Sequence, residues 1–161
     1  MFRYETVTTR RELAEELADV ISSFSDEMRL FVDLTAQDVY VYIPVDMTGV
    51  GDGDRKGHEV VEFEPLRSGE SFGIMESFCR GRDVSLARVL RGPHPFRAFK
   101  RAVQYAGVLE EWYAFKNGAE IDIAESRLED AGVDVVDGKI VCTDRTSVSV
   151  YEPEDEMEEW E

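Results

Sequence analysis

Gly69-Glu70-Ser71-Phe72-Gly73 is the segment closest to a catalytic pattern. It fits G-x-S-x-G, which puts a serine on a sharp strand-to-helix turn with its Oγ exposed to an incoming carbonyl. A strand-like run, HEVVEFEP, precedes it, and helical spacing follows. The chemistry also needs an acid and then a histidine later in the chain. The only later histidine is His94, in a turn flanked by Pro93 and Pro95. The motif works on a large parallel sheet, whereas the strands here come as hairpins. A helix start with Ser71 near its N-cap explains the same residues, so a serine hydrolase at Ser71 stands only as an alternative function.

Asp52, Asp54 and Gly57 have the alternating carboxylates and turn glycine of a calcium loop. The register fails at the twelfth position, where Phe63 stands in place of a bidentate Glu, and Lys56 puts a positive charge among the would-be ligands. Gly49, Gly51 and Gly53 do not make a phosphate-cradling motif. With His58 and His94 the only histidines and Cys79 far from Cys142, no metal site, cofactor or disulfide framework is expected. Two buried thiols are.

Charge distribution is the stronger signal. The chain has 35 Asp and Glu against 18 Lys and Arg, a net charge of −17. Between residues 80 and 101, however, Arg80, Arg82, Arg88, Arg91, Arg97, Lys100 and Arg101 face Asp83 alone, leaving −23 on the other 139 residues. On a helical wheel Phe96, Phe99, Val103 and Ala106 share one arc, with Arg97, Lys100, Arg101 and Gln104 beside it. The phenylalanines are expected in the core. The cations either pair with the chain's own acids or bind an external anion, an acidic protein segment or RNA, with Arg88, Arg91, Arg97, Lys100 and Arg101 as the candidate binding residues. Trp112, Tyr113 and Phe115 are expected to pack against this helix.

The elements that must position these residues are legible from periodicity. Thr9 and Glu12 have capping-box spacing, and Leu13, Leu17, Val20, Ile21 and Phe24 predict a helix over residues 10–23. RLFVDLT and VYVYIP, joined by AQD, read as a hairpin, with HEVVEFEP as a strand pairing with it. Helices follow from Ser71, over 84–90, from Pro95 to Gly107, over 109–117 ending at Asn117-Gly118, and from Ile121 to Gly132. Asp137-Gly138 is a type I′ hairpin signal between VDVV and KIVC, and SVSVY reads as an edge strand. The segment 152–161 carries seven acids in ten residues and reads as a flexible tail with Trp160 as its one anchor.

At 161 residues the chain can bury roughly 68–70% of its unfolded surface, which fits a single domain over residues 1–151. No run has the 18 or so apolar residues of a membrane span, and the opening residues lack a signal peptide's apolar stretch, so no membrane partner and a cytoplasmic location are expected. Only four of the cations are lysine. An acidic, lysine-poor surface of this kind is what a cytoplasm with very high salt favours, because screening relieves its self-repulsion.

Phe96-Arg97-x-Phe99-Lys100, then Glu111-Trp112-x-x-Phe115, then Ala124, Leu128 and Gly132 resemble the signature region of Uncharacterised Protein Family 0158, a bacterial family of unassigned role. MESF at residues 75–78 and the order of N-terminal helix and hairpin extend the resemblance over residues 10–133. Lys116-Asn117-Gly118 departs from it, and residues 134–161 stand outside it. What the resemblance implies is a small cytoplasmic α+β domain, with no catalytic residue to carry over. The expected architecture is a small antiparallel sheet of hairpins with a multi-helix layer over residues 71–131. The expected function is non-enzymatic binding or regulation through the basic face.

Overall fold

The structure, a computed structural model, describes residues 7–22, 28–42, 55–82 and 84–152. Phe24, Asp83, the Gly/Asp loop with Asp52 and Asp54, and the acidic segment beyond Glu152 lie outside the described residues. The fold is α+β, and the chain divides into two compact units, residues 1–65 with 124–161, and residues 66–123.

The first unit opens with α1, Arg10–Ile21. Thr9 caps it by accepting from the Glu12 N–H at 3.1 Å. The Glu12 carboxylate reaches back one residue beyond the usual box, to the Thr8 N–H at 2.6 Å and the Thr8 hydroxyl at 2.9 Å. Leu13, Leu17 and Ile21 are buried as the spacing predicts, and Ala14 and Ala18 complete that face.

The hairpin is present as β1, Arg29–Asp33, and β2, Asp38–Tyr42. β3, Glu59–Phe63, pairs antiparallel with the other edge of β1, and β6, Ser149–Val150, pairs with β3. The sheet order is β2-β1-β3-β6. Alternation puts Leu30 and Val32 on one face of β1 and Phe31 on the other, with Tyr42, Val60 and Tyr151. Both faces of β1 are buried over Leu30, Phe31 and Val32, which form an unbroken apolar run between its charged ends.

A second sheet pairs β4, Val133–Val136, with β5, Lys139–Cys142. Asp137 and Gly138 sit at φ 52° and 74°, the two positive values a type I′ turn requires. Gln37, itself at φ 65°, joins this hairpin to β1 and β2. Its amide accepts from the Ile140 N–H at 2.7 Å and donates to the Ile140 carbonyl at 2.9 Å, doing the work of a strand backbone.

The second unit is helical: α2, Ser68–Cys79; α3, Val84–Val89; and α4, Pro95–Tyr105. Their core comprises Ile74, Met75, Phe78, Leu86, Leu90, Phe99, Val103 and Trp112. Phe99 meets Trp112 edge-on at 4.9 Å between ring centroids and Phe78 at 6.3 Å, the T-shaped arrangement that aromatic quadrupoles favour. Pro95 occupies the first turn of α4, where its missing N–H costs nothing, and Gly107 leaves the helix at φ 77°.

Two helices expected over 109–117 and 121–131 are one, α5, Leu109–Ala131. Asn117-Gly118 is a local stop signal, but Gly118 does not take a positive φ. Lys116 and Glu120 form an i,i+4 pair at 2.8 Å directly across it. Trp112, Glu120, Ala124 and Leu128 are buried along the helix, and that burial outweighs the roughly 1 kcal/mol a mid-helix glycine costs. Both cysteines are free thiols and buried, and burial raises the pKa of the Cys79 thiol.

Candidate functional site

The cations of residues 80–101 lie in the helical unit. In α4, Phe99 and Val103 turn inward, which leaves Arg97, Lys100 and Arg101 on the exposed arc. Arg88 in α3 and Arg91 after it are exposed as well. Arg82 is different: it donates to Glu111 at 2.9 Å, and its guanidinium lies 4.0 Å over the Phe78 ring. Among the described residues it is the cation of this segment with an acidic partner; Arg88, Arg91, Arg97, Lys100 and Arg101 have none within 4.0 Å. Pairing of the whole segment with the chain's own acids therefore accounts, in the described residues, for Arg82 alone.

Aromatic exposure also departs from the wheel. Phe96 is 46% exposed, touching Phe72 edge-on at 6.5 Å, because its position at the start of α4 lies beyond the Phe99 and Val103 contact. Trp112 is buried, whereas Tyr113 and Phe115 are 46% and 39% exposed. Ala106, placed with the core by the wheel, caps the exposed end of α4. Tyr105 is 96% exposed. It borders a shallow depression of about 720 Å³ lined by Val89, Ala98, Arg101, Ala102, Gln104 and Tyr105. Val89 comes from α3 and the rest from α4, where Ala98, Arg101, Ala102 and Tyr105 have the i, i+3, i+4, i+7 spacing of one helix stripe and Gln104 stands beside it.

Ser71 does not lie in a strand-to-helix turn. The helix begins three residues earlier at Ser68 with Arg67 as N-cap, and Glu70 accepts from the Arg67 N–H at 2.9 Å. The Ser71 N–H donates to the Arg67 carbonyl at 3.0 Å as an ordinary helical amide. All five residues of the G-x-S-x-G match are helix, so the strained turn that exposes a nucleophile is absent there.

The sheet unit holds a polar cluster that sequence reading missed. Asp33 and Asp38 lie directly opposite each other in the β1–β2 ladder, where two like charges repel. Arg55 resolves the conflict: its Nη1 is 2.8 Å from both carboxylates, its Nη2 is 3.0 Å from Asp38, and its guanidinium covers the Tyr40 ring at 4.0 Å. The buried Asp33 carboxylate also accepts from the Thr35 and Ala36 N–H groups and lies 2.9 Å from His58 Nδ1. An ionised carboxylate only accepts, so Nδ1 carries the proton.

Burial alone would raise the Asp33 pKa. The Ala36 N–H, the His58 ring and the Arg55 guanidinium outweigh it and hold the carboxyl below its ordinary value. Asp38 first, then Asp33, raises the Arg55 pKa. Chemically the cluster is a brace: His58 donates from its backbone to Arg55 and accepts from Tyr151, so one charged knot ties β3, the residues before it and β6 to the hairpin. Among the described residues no three His, Cys, Asp or Glu side chains are grouped to hold a metal ion, and no helix is long and apolar enough to cross a membrane. No family model, curated protein or solved structure matches the chain.

Proposed function

We propose that the chain is a non-enzymatic binding protein that engages an anionic partner through Arg88, Arg91, Arg97, Lys100 and Arg101. One observation carries this reading: five exposed cations without an acidic partner among the described residues, within a chain of net charge −17. Acids are abundant enough to neutralise them, yet among the described residues none stands within ion-pair distance of the five. Exposed cations concentrated on one short helix pair give a local positive potential that attracts anions. Membership of Uncharacterised Protein Family 0158 is proposed with it and assigns no chemistry. A cytoplasmic location is in keeping with two free thiols.

Binding of fluorescent poly-glutamate and of single-stranded RNA at low salt tests the reading. Wild type is expected to bind at least one of them with an affinity that falls as salt rises, and the triple substitution R97E/K100E/R101E to abolish it. Binding of neither ligand at low salt overturns the proposal.

A further inference from the structure

We infer that the depression between α3 and α4 receives an acidic peptide segment bearing an apolar anchor side chain, a partner class that rests on the anion-binding reading above and narrows it. The surface of α4 has three sectors. Phe99 and Val103 face the core, Arg97, Lys100 and Arg101 form a cationic arc, and Ala98, Ala102 and Tyr105 form an apolar stripe. Arg101 belongs to both the arc and the stripe, so cation and apolar floor adjoin. Val89 of α3 also lines the depression, and Arg88, next to it in α3, is exposed.

An apolar floor with a cationic border is complementary to a segment that alternates apolar anchors with carboxylates. Grooves between packed helices take such segments through a few anchoring side chains. About 720 Å³ is more than one aliphatic side chain needs, and Val89, Ala98 and Ala102 offer small aliphatic surface to such a group. RNA fits less well. Its bases need flat aromatic platforms, and Tyr105 is the one ring in the lining. Its backbone also carries charge beyond any short patch, whereas the 139 residues outside 80–101 sum to −23 and repel it. A short acidic segment confines its charge to the patch.

The test uses the full chain and two synthetic peptides of equal length and charge, Glu alternating with Leu in one and with Ser in the other, plus single-stranded RNA. Anisotropy at low salt is expected to show the Leu peptide binding roughly tenfold tighter than the Ser peptide. A98Q/Y105S, which fills the stripe and removes its exposed ring without altering charge, is expected to abolish that difference while leaving the Ser peptide's affinity unchanged. Equal affinity for the two peptides, or tighter binding of RNA than of either, overturns the groove assignment and leaves anion binding standing. If none of the three binds, both fail together.

Discussion

Arg55 holds two carboxylates that the β1–β2 register forces to face each other, and its removal leaves the buried Asp33 facing Asp38 with only His58 and two backbone N–H groups to hold its charge. Arg55→Ala is therefore expected to cost about 1.5–3 kcal/mol in denaturant unfolding at pH 7. Lysine is a poor substitute, since a point charge cannot make the two-nitrogen contact or lie flat on Tyr40. The pH dependence has a definite sign. In the wild type Asp33 titrates below its ordinary value, so its contribution is present above the unfolded value of about 3.8 and lost as pH falls through the lower folded value. In Arg55→Ala the same carboxyl loses a cation that lowers it, and protonation relieves the buried charge. The deficit against wild type is expected to narrow as pH falls from about 3.8 through the lower folded value of the wild type; a constant deficit would show that Arg55 acts by packing alone. None of this could be read from the sequence, because Arg55 and His58 lie 22 and 25 residues from Asp33 in a chain where carboxylates are everywhere.

Strands and their turns were legible because their signals are local: period-two alternation over Val61-Glu62-Phe63-Glu64, and Asp137-Gly138 supplying two positive φ values. Helix boundaries at Gly107 and Gly132 were legible for the same reason. The break at Asn117-Gly118 was misread because burial and a pair four residues apart act over a longer span than the dipeptide. Likewise the helical wheel identified Phe99 and Val103 but could not tell where the contact ends, so Phe96 was assigned inside and the exposure of Tyr105 was missed. The two helix glycines make opposite predictions. At Gly118 the φ is not positive and a Cβ would meet nothing within 4 Å, so Gly118→Ala is expected to stabilise by about 0.5–1 kcal/mol. At Gly132, φ is 81° and a Cβ would lie 2.7 Å from Asp144 Cβ and 2.8 Å from its backbone nitrogen. Gly132→Ala must strain the chain and displace that backbone, and is expected to lower the thermal midpoint. Paired melts of the two variants check both signs.

At the scale of the molecule, charge sets the response to solvent. A net −17 on 161 residues repels itself, and the Debye length falls from about 10 Å at 0.1 M salt to about 3 Å at 1 M. Stability is expected to rise through a potassium chloride series, by about 5 °C or more in melting temperature between 0.1 M and 2 M, which is on the order of 2 kcal/mol for a chain of this size. No gain would refute adaptation to high salt. Partner binding through the basic face is expected to weaken along the same series, so the two effects of salt have opposite signs and can be measured on one set of samples.

The division of the chain also bears on synthesis. Residues 66–123 interrupt the sheet unit, whose β3 pairs with a strand some ninety residues downstream, and Tyr151 then packs against Phe31 and Tyr40. On a ribosome adding about 5–20 residues per second, every side chain of the helical core leaves the ribosome well before β6 does. For those seconds β3 presents an unpaired edge to the crowded cell, a template for the wrong strand. Glu59 and Glu62 stand on β3, and charged side chains on an edge strand disfavour such pairing.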